Sequence, residues 1–202
     1  DTRASLNMAD VCRQYKVKLL AFGTLAGGFL TERWLGKPEP APDELHTWSQ
    51  MKYKRFIDAA GGWVPYQNLL RTVKEIAEKH EVSMANIASR YILENPVVAG
   101  VIIGARLGES EHIEDNKRTL EISLDTADME AIKKAQNLLQ AIPGGCGDEY
   151  RKPPFLTASG DLSDHLESIP PAFTPIQSGK NRQQVFSGTT WEGFAGYCRA
   201  VK

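Results

Sequence analysis

Two short glycine-bearing runs hold the residue types from which a nucleotide site is built. The first is Phe22-Gly23-Thr24-Leu25-Ala26-Gly27-Gly28, directly after an apolar stretch. Its glycines let backbone amides approach a phosphate, and Phe22 offers a flat face to an aromatic ring. The same run also reads as a tight turn with Phe22 in the core. The second is Gly104-Ala105-Arg106-Leu107-Gly108-Glu109-Ser110, leading into a helical stretch with His112, Asp115 and Asn116. Amides at a helix start are unpaired and the dipole is positive there, which favours an anion. Arg106 adds a bidentate, charge-assisted grip. His112 and Asn116, four apart, share one helical face with Asp115 beside them. An exposed, capped helix with ordinary surface polar residues is the competing reading.

Other chemistries find less support. His46, His80 and His165 have no Cys/His/carboxylate spacing for a metal, and His80 fits a solvated helix C-terminus. There is no G-x-S-x-G, no Walker loop and no G-x-G-x-x-G opening a helix. Cys12, Cys146 and Cys198 are odd in number and contain no CxxC, which points to a reducing, cytoplasmic setting. With 24 Lys+Arg against 25 Asp+Glu, the formal charge is −1, too little positive field for nucleic acid or an acidic membrane. Lys52-Tyr53-Lys54-Arg55 and Lys133-Lys134 read as solvated faces. No apolar run approaches the ~20 residues of a membrane span.

The elements that must carry the two runs follow from periodicity. Residues 5–15 form a weak helical stripe, with Ser5 a candidate N-cap. Residues 17–22 are a short apolar run ended by Gly23, which reads as a buried parallel strand. The stretch 31–62, with Pro38, Pro40 and Pro42, is too long for a plain connection and should be functional or carry small helices. Leu69, Leu70, Val73, Ile76 and Ala77 mark a helix with Pro65 in its first turn. A second helix starts after Ser83 and stops at Asn95-Pro96. Residues 97–105 are a second buried strand, rich in β-branched side chains. A helix from Ser110 to Leu120 follows, then one capped by Asp125 with Met129, Ile132 and Leu139 inward. Alternating helices and buried strands imply a parallel α/β sheet, in which ligands bind beyond the strands' carboxyl ends. Residues 142–182, dense in Pro and Gly, read as a linker or irregular wrap, and 183–202 as the start of another domain. Both ends of the chain look like cuts through a longer protein.

Three stretches in order resemble the aldo-keto reductase family. AFGTLAGGFL (21–30) with ERWLG (32–36) is similar to its seventh-strand segment, and SQMKYKRFIDAAGGW (49–63) to the long loop and helix of a bacterial and fungal branch. VVAGVIIGAR followed by SEHIEDN (110–116) is similar to its eighth strand and the cofactor-gripping helix after it. The resemblance, over about residues 5–141, implies an α/β fold. The chain would be the C-terminal portion of a (β/α)8 TIM barrel: its last two strands and flanking helices. It also implies hydride transfer between NADP(H) and a small-molecule carbonyl or alcohol substrate, without a metal. By that resemblance Phe22 stacks on the nicotinamide, while Gly23 and Leu25 touch the pyrophosphate. Gly104, Ala105 and Arg106 surround the adenosine 2′-phosphate, and His112, Asp115 and Asn116 hold the adenine and ribose. Thr24 stands where the family usually has Pro, and His112 where Arg or Gln is common. NADP is expected over NAD.

The family's catalytic Tyr, Lys, Asp and His lie on earlier strands. None of Tyr15, Tyr53, Tyr66, Tyr91, Tyr150 or Tyr197 falls in the matching motif, so no catalytic residue is assigned and the piece alone is expected to be inactive. FSGTTWEGFAGYCRAVK (186–202) resembles the opening of RidA-like imine-hydrolysing domains. Two alternatives to the enzyme reading stand beside it: a nucleotide-sensing regulatory subunit of aldo-keto reductase type, and a linker to a RidA-like imine deaminase domain.

Overall fold

The computed structural model describes residues 1–105, 108 and 111–146, together with the backbone of 174–177, 183–186 and 200–201. It divides into two compact units, Asp1–Cys146 and Gly147–Lys202.

In the first unit, α1 (Asn7–Tyr15) leads into β1 (Leu19–Phe22), and 3-10 turns and α2 (Trp48–Ala59) lead into α3 (Trp63–Lys79). Then come α4 (Met84–Leu93), β2 (Val98–Ile102), α5 (Ile113–Arg118) and α6 (Thr126–Asn137). β1 and β2 pair in parallel, with Leu20 opposite Gly100, Ala21 opposite Val101 and Phe22 opposite Ile102. A parallel pair needs a long crossover, and α2, α3 and α4 lie within it. Among the described residues no helix is long and apolar enough to cross a membrane.

The core is the helical layer. Leu69, Leu70, Val73, Ile76 and Ala77 of α3 are all buried, as their spacing predicts. They meet Met84 and Ile87 of α4 and Ile132 and Ala135 of α6. Phe29, Trp34, Trp63 and Tyr66 form an aromatic cluster, with Phe29 and Trp34 centroids 4.9 Å apart and Trp63 edge-on to both. Polar bonds fix the loop to this core. The Gln67 amide donates to the Trp34 carbonyl and accepts from the Gly36 N–H, and the Trp63 indole donates to the Lys37 carbonyl.

Several expectations need correction. The two strands are not buried: Leu20, Phe22 and Ile102 are 64%, 63% and 56% exposed. Helices cover one face of this two-stranded sheet, where Leu19 packs on Ala9, Cys12 and Val97, and alternation sends the remaining side chains outward. Ser5 does not cap α1. Leu6 occupies that position without a side-chain bond, and the Ser5 hydroxyl accepts from the Asn95 amide instead. The 31–62 stretch carries short 3-10 turns and one longer helix, the twelve-residue α2, where the resemblance of 49–63 implied a helix. Residues 142–146 belong with the first unit, since Ile142 is buried and the Gly145 carbonyl accepts from Arg3.

The second unit is an antiparallel sheet of β3 (Thr174–Gln177), β4 (Gln183–Phe186) and β5 (Ala200–Val201), in that order. β3 lies inside the stretch expected to be irregular. Its Pro175 sits on an outer strand, where a missing N–H is tolerated.

Candidate functional site

Parallel pairing ends β1 and β2 on the same side, because Phe22 and Ile102 are register partners. The first glycine run therefore leaves β1 beside the point where Gly104 and Ala105 leave β2, and both of these are exposed. Phe22, Gly23, Leu25, Gly104 and Ala105 are thus brought to one end of the sheet. Arg106, Leu107, Glu109 and Ser110 lie outside the described residues, as do His165 and Cys198.

The turn after β1 is held from three directions. Gly23 and Gly27 have φ of 68° and 66°, a region that favours glycine. A Cβ on Gly23 would stand 1.8 Å from the Tyr53 hydroxyl oxygen, and one on Gly27 would stand 2.8 Å from the Ser49 carbonyl oxygen. α2 therefore lies directly on the turn. Thr24 bonds Ser89 of α4 through their hydroxyls at 3.1 Å, so the side chain in the usual proline position pins the turn to the helical layer. Phe29 seals the far end in the core. Glu32 then reaches α4, where its carboxylate accepts from the Met84 N–H at 2.7 Å, an acidic side chain at a helix start.

α2 corrects the reading of Lys52-Tyr53-Lys54-Arg55 as a solvated face. Only Arg55 of the four is exposed. Lys54, 12% exposed, pairs with Glu39 at 2.6 Å and Asp58 at 2.5 Å. Burial opposes its charge, but the hydrogen bonds to Asp58 and Glu39 outweigh it and raise its pKa. The Lys52 ammonium lies 5.7 Å from the centre of the Phe22 ring and 5.2 Å from that of Tyr53, within cation–π range. The Thr47…Gln50 capping box that starts α2 was the available signal; apolar periodicity missed it because only Gln50 and Ile57 are buried.

The second group, His112, Asp115 and Asn116, surrounds the start of α5, a shorter helix than expected. His112 precedes it as the N-cap in a left-handed conformation, φ 46°, rather than standing within it. Its carbonyl accepts from the Asn116 N–H at 2.9 Å, so the helical spacing survives. α4 holds this segment. The Ser83 hydroxyl donates to the Asp115 carboxylate at 2.8 Å, and the buried Asn86 amide donates to the Asp115 carbonyl and to Thr119.

His80 also departs from expectation. At the end of α3, its Nε2 lies 2.7 Å from a carboxylate oxygen of Asp128, which is 3% exposed, and Lys79 bonds both Asp128 and Asp125. Asp125 caps α6 as predicted, accepting from the Asp128 N–H. Burial pushes the Asp128 pKa up, but Lys79, His80 and the Asp125 N–H prevail and lower it. This cluster ties α3 to α6. Tyr66, whose buried hydroxyl has no hydrogen-bond partner among the described residues, has its pKa raised by burial.

The residues present suit a dinucleotide. Phe22 presents an exposed ring, and nothing lies within 4 Å of where a Cβ would stand on Gly28 or Gly104. Space is thus open beside both glycines, while the Gly28 N–H itself is donated to the Leu25 carbonyl at 2.9 Å. Two surface hollows lie elsewhere: one of about 370 Å³ walled by Arg3, Met8 and Cys146, another of about 350 Å³ walled by Trp34, Pro38 and His46. Among the described residues no group of three or more His, Cys, Asp and Glu could hold a metal.

Fold and site together describe an α/β protein with its loops gathered at the carboxyl end of a parallel pair. The Aldo/keto reductase family model matches residues 1–137, and the chain belongs to that family, whose fold is of the TIM-barrel type. Flagellar radial spoke protein 5 of Chlamydomonas reinhardtii is 32% identical over 94 residues. That alignment covers 46% of this chain and 18% of the relative, so the chain spans less than a fifth of the relative's length.

Proposed function

We propose that this chain is the cofactor-binding part of an NADP-dependent aldo-keto reductase, containing the last two strands of its barrel. The observation that carries the reading is the shared end of β1 and β2, where an exposed aromatic ring lies beside the open Gly104 in a member of this family, with free space at Gly28 further along the first run. A nicotinamide dinucleotide bound there supplies or accepts the hydride that interconverts a carbonyl and an alcohol. The chain's own residues orient and hold. Phe22 offers its ring to the nicotinamide, and Gly23 and Leu25 lay backbone along the diphosphate. Gly104, Ala105 and Arg106 flank the 2′-phosphate, with His112, Asp115 and Asn116 at the adenosine end. No residue of the chain takes the proton-donor role, so the 202-residue piece binds without turning over. The 186–202 stretch opens a RidA-like domain in this reading, and the setting is cytoplasmic.

Titration of the chain with NADPH tests the proposal. Phe22→Ala weakens binding about tenfold, the loss of one good stacking contact. Arg106→Ala weakens NADPH but not NADH. No saturable binding of either dinucleotide refutes the reading.

The similarity to a protein named as a flagellar radial spoke protein favours a second reading, a nucleotide-binding subunit rather than an enzyme. The full open reading frame separates them: carbonyl-dependent NADPH oxidation supports the enzyme, and binding without turnover supports the subunit.

A further inference from the structure

We infer that the hollow walled by Trp34, Pro38 and His46 is a binding site for a small, singly charged carboxylate with a flat apolar body. The hollow measures about 350 Å³, a size that suits a small molecule. It shares no residue with the two glycine runs, so the inference stands independently of the dinucleotide reading.

Its chemistry is cationic between apolar walls. Arg33 and Lys37 bring two positive charges against the single carboxylate of Glu44, and Trp34, Pro38 and Pro40 supply apolar surface. The Arg33 guanidinium carbon lies 5.3 Å from the centre of the Trp34 ring, a cation–π contact that restrains the group without consuming its N–H donors. Arg33 and Lys37 are both exposed, and neither forms an ion pair or a side-chain hydrogen bond among the described residues. Glu44 is already engaged, because its carboxylate accepts from the Ala41 N–H at 2.7 Å. Two open cations beside one engaged carboxylate balance a monoanion rather than a doubly charged phosphate. The planar fork of Arg33 matches a carboxylate in shape as well as charge.

The walls are in place before a ligand arrives. The Gln67 side-chain amide of α3 donates to the Trp34 carbonyl at 2.9 Å and accepts from the Gly36 N–H at 2.8 Å, while the Trp63 indole donates to the Lys37 carbonyl at 2.9 Å. Leu45 is buried, and the His46 N–H donates to Gln50 of α2 at 2.9 Å. Fixed walls lower the ordering cost of binding.

The test is isothermal titration of the 202-residue chain with 2-naphthoate, naphthalene-2-methanol and 2-naphthyl phosphate. The same titrations follow on an Arg33→Gln/Lys37→Gln variant, or on Arg33→Gln alone if the double variant loses its helical circular dichroism. Naphthoate should bind saturably, and about fivefold more weakly once the charges are removed. The neutral alcohol should bind the unsubstituted chain about fivefold more weakly than naphthoate, and excess NADPH should leave the naphthoate Kd unchanged. Equal naphthoate affinity of chain and variant overturns the inference, as does absence of saturation. Equal affinity for the alcohol, or tighter binding of the phosphate, overturns the carboxylate assignment. Displacement by NADPH overturns the location.

Discussion

Replacing Gly23 by Ala measures how tightly α2 is locked to the end of β1. The cost has two parts. Gly23 has φ of 68°, and an L residue held in the left-handed region costs ~1–2 kcal/mol. The new methyl would also stand 1.8 Å from the Tyr53 Oη and 2.8 Å from its Cζ, so the ring must withdraw. Losing part of a half-buried aromatic contact costs a further ~1–2 kcal/mol. Gly23→Ala should therefore destabilise the chain by ~2–4 kcal/mol. In a Tyr53→Ala background only the backbone part remains, giving a coupling of ~1–2 kcal/mol between the two positions. Tyr53→Phe should relieve little, since Cζ stays too close. Urea unfolding in dilute solution, followed by fluorescence of the buried Trp34 and Trp63, reads all four corners of the cycle. Additivity within ~0.5 kcal/mol would refute the contact as the source of the cost.

Two further outcomes follow from features outside the turn. Asp128 and Asp125 have lowered pKa values and Lys79 a raised one. The carboxylates' contribution is thus present above the ordinary carboxylate range and lost as pH falls through their lower folded values. The Lys79 contribution is present below the ordinary lysine pKa and lost as pH rises through its higher folded value. The unfolding free energy should be flat from about pH 5 to about pH 9 and fall on either side; Asp128→Ala should lower that plateau by ~2 kcal/mol and flatten the acid limb, and an acid limb of unchanged shape in urea titrations would contradict the clamp. The outward face of the sheet, with Leu20, Phe22 and Ile102 exposed, should bind a hydrophobic dye and drive self-association in sedimentation. A Leu20→Lys/Ile102→Lys double variant should be dimmer and more monomeric, and equal dye binding by both proteins would count against that face.

How legible the molecule was depended on which force fixed each element. The α3 stripe is legible from apolar periodicity because burial is what holds it. Of the three residues expected inward on α6, by contrast, only Ile132 is buried, beside Asp128 and Ala135, and Leu139 lies beyond the helix. Ser83 and Asp125 mark helix starts because caps obey local rules. The strands are less buried than their apolar composition suggests. An apolar run reports the preference of its side chains, not whether a second layer covers both faces, and Leu20 and Phe22 differ from Leu19 only in the face they take. His80 departs from its local pattern for a related reason. Its partner Asp128 lies 48 residues away, and no local pattern reports a tertiary pair.

α2 shows why the candidate site was only partly visible. Its twelve residues bury little apolar surface, so a search for a hydrophobic stripe passes over it. What docks it is shape and charge: a tyrosine that fits only against a glycine, and a lysine shared by two carboxylates. Those constraints fix the helix backbone at Lys52, because its neighbours Tyr53 and Lys54 are both committed. A run that looks like four solvated residues therefore delivers one cation to the ring at the end of β1. The glycines of the first run gain a second reason to be glycines. Besides leaving open space at Gly28, they let α2 approach the end of β1 closely at Gly23 and Gly27.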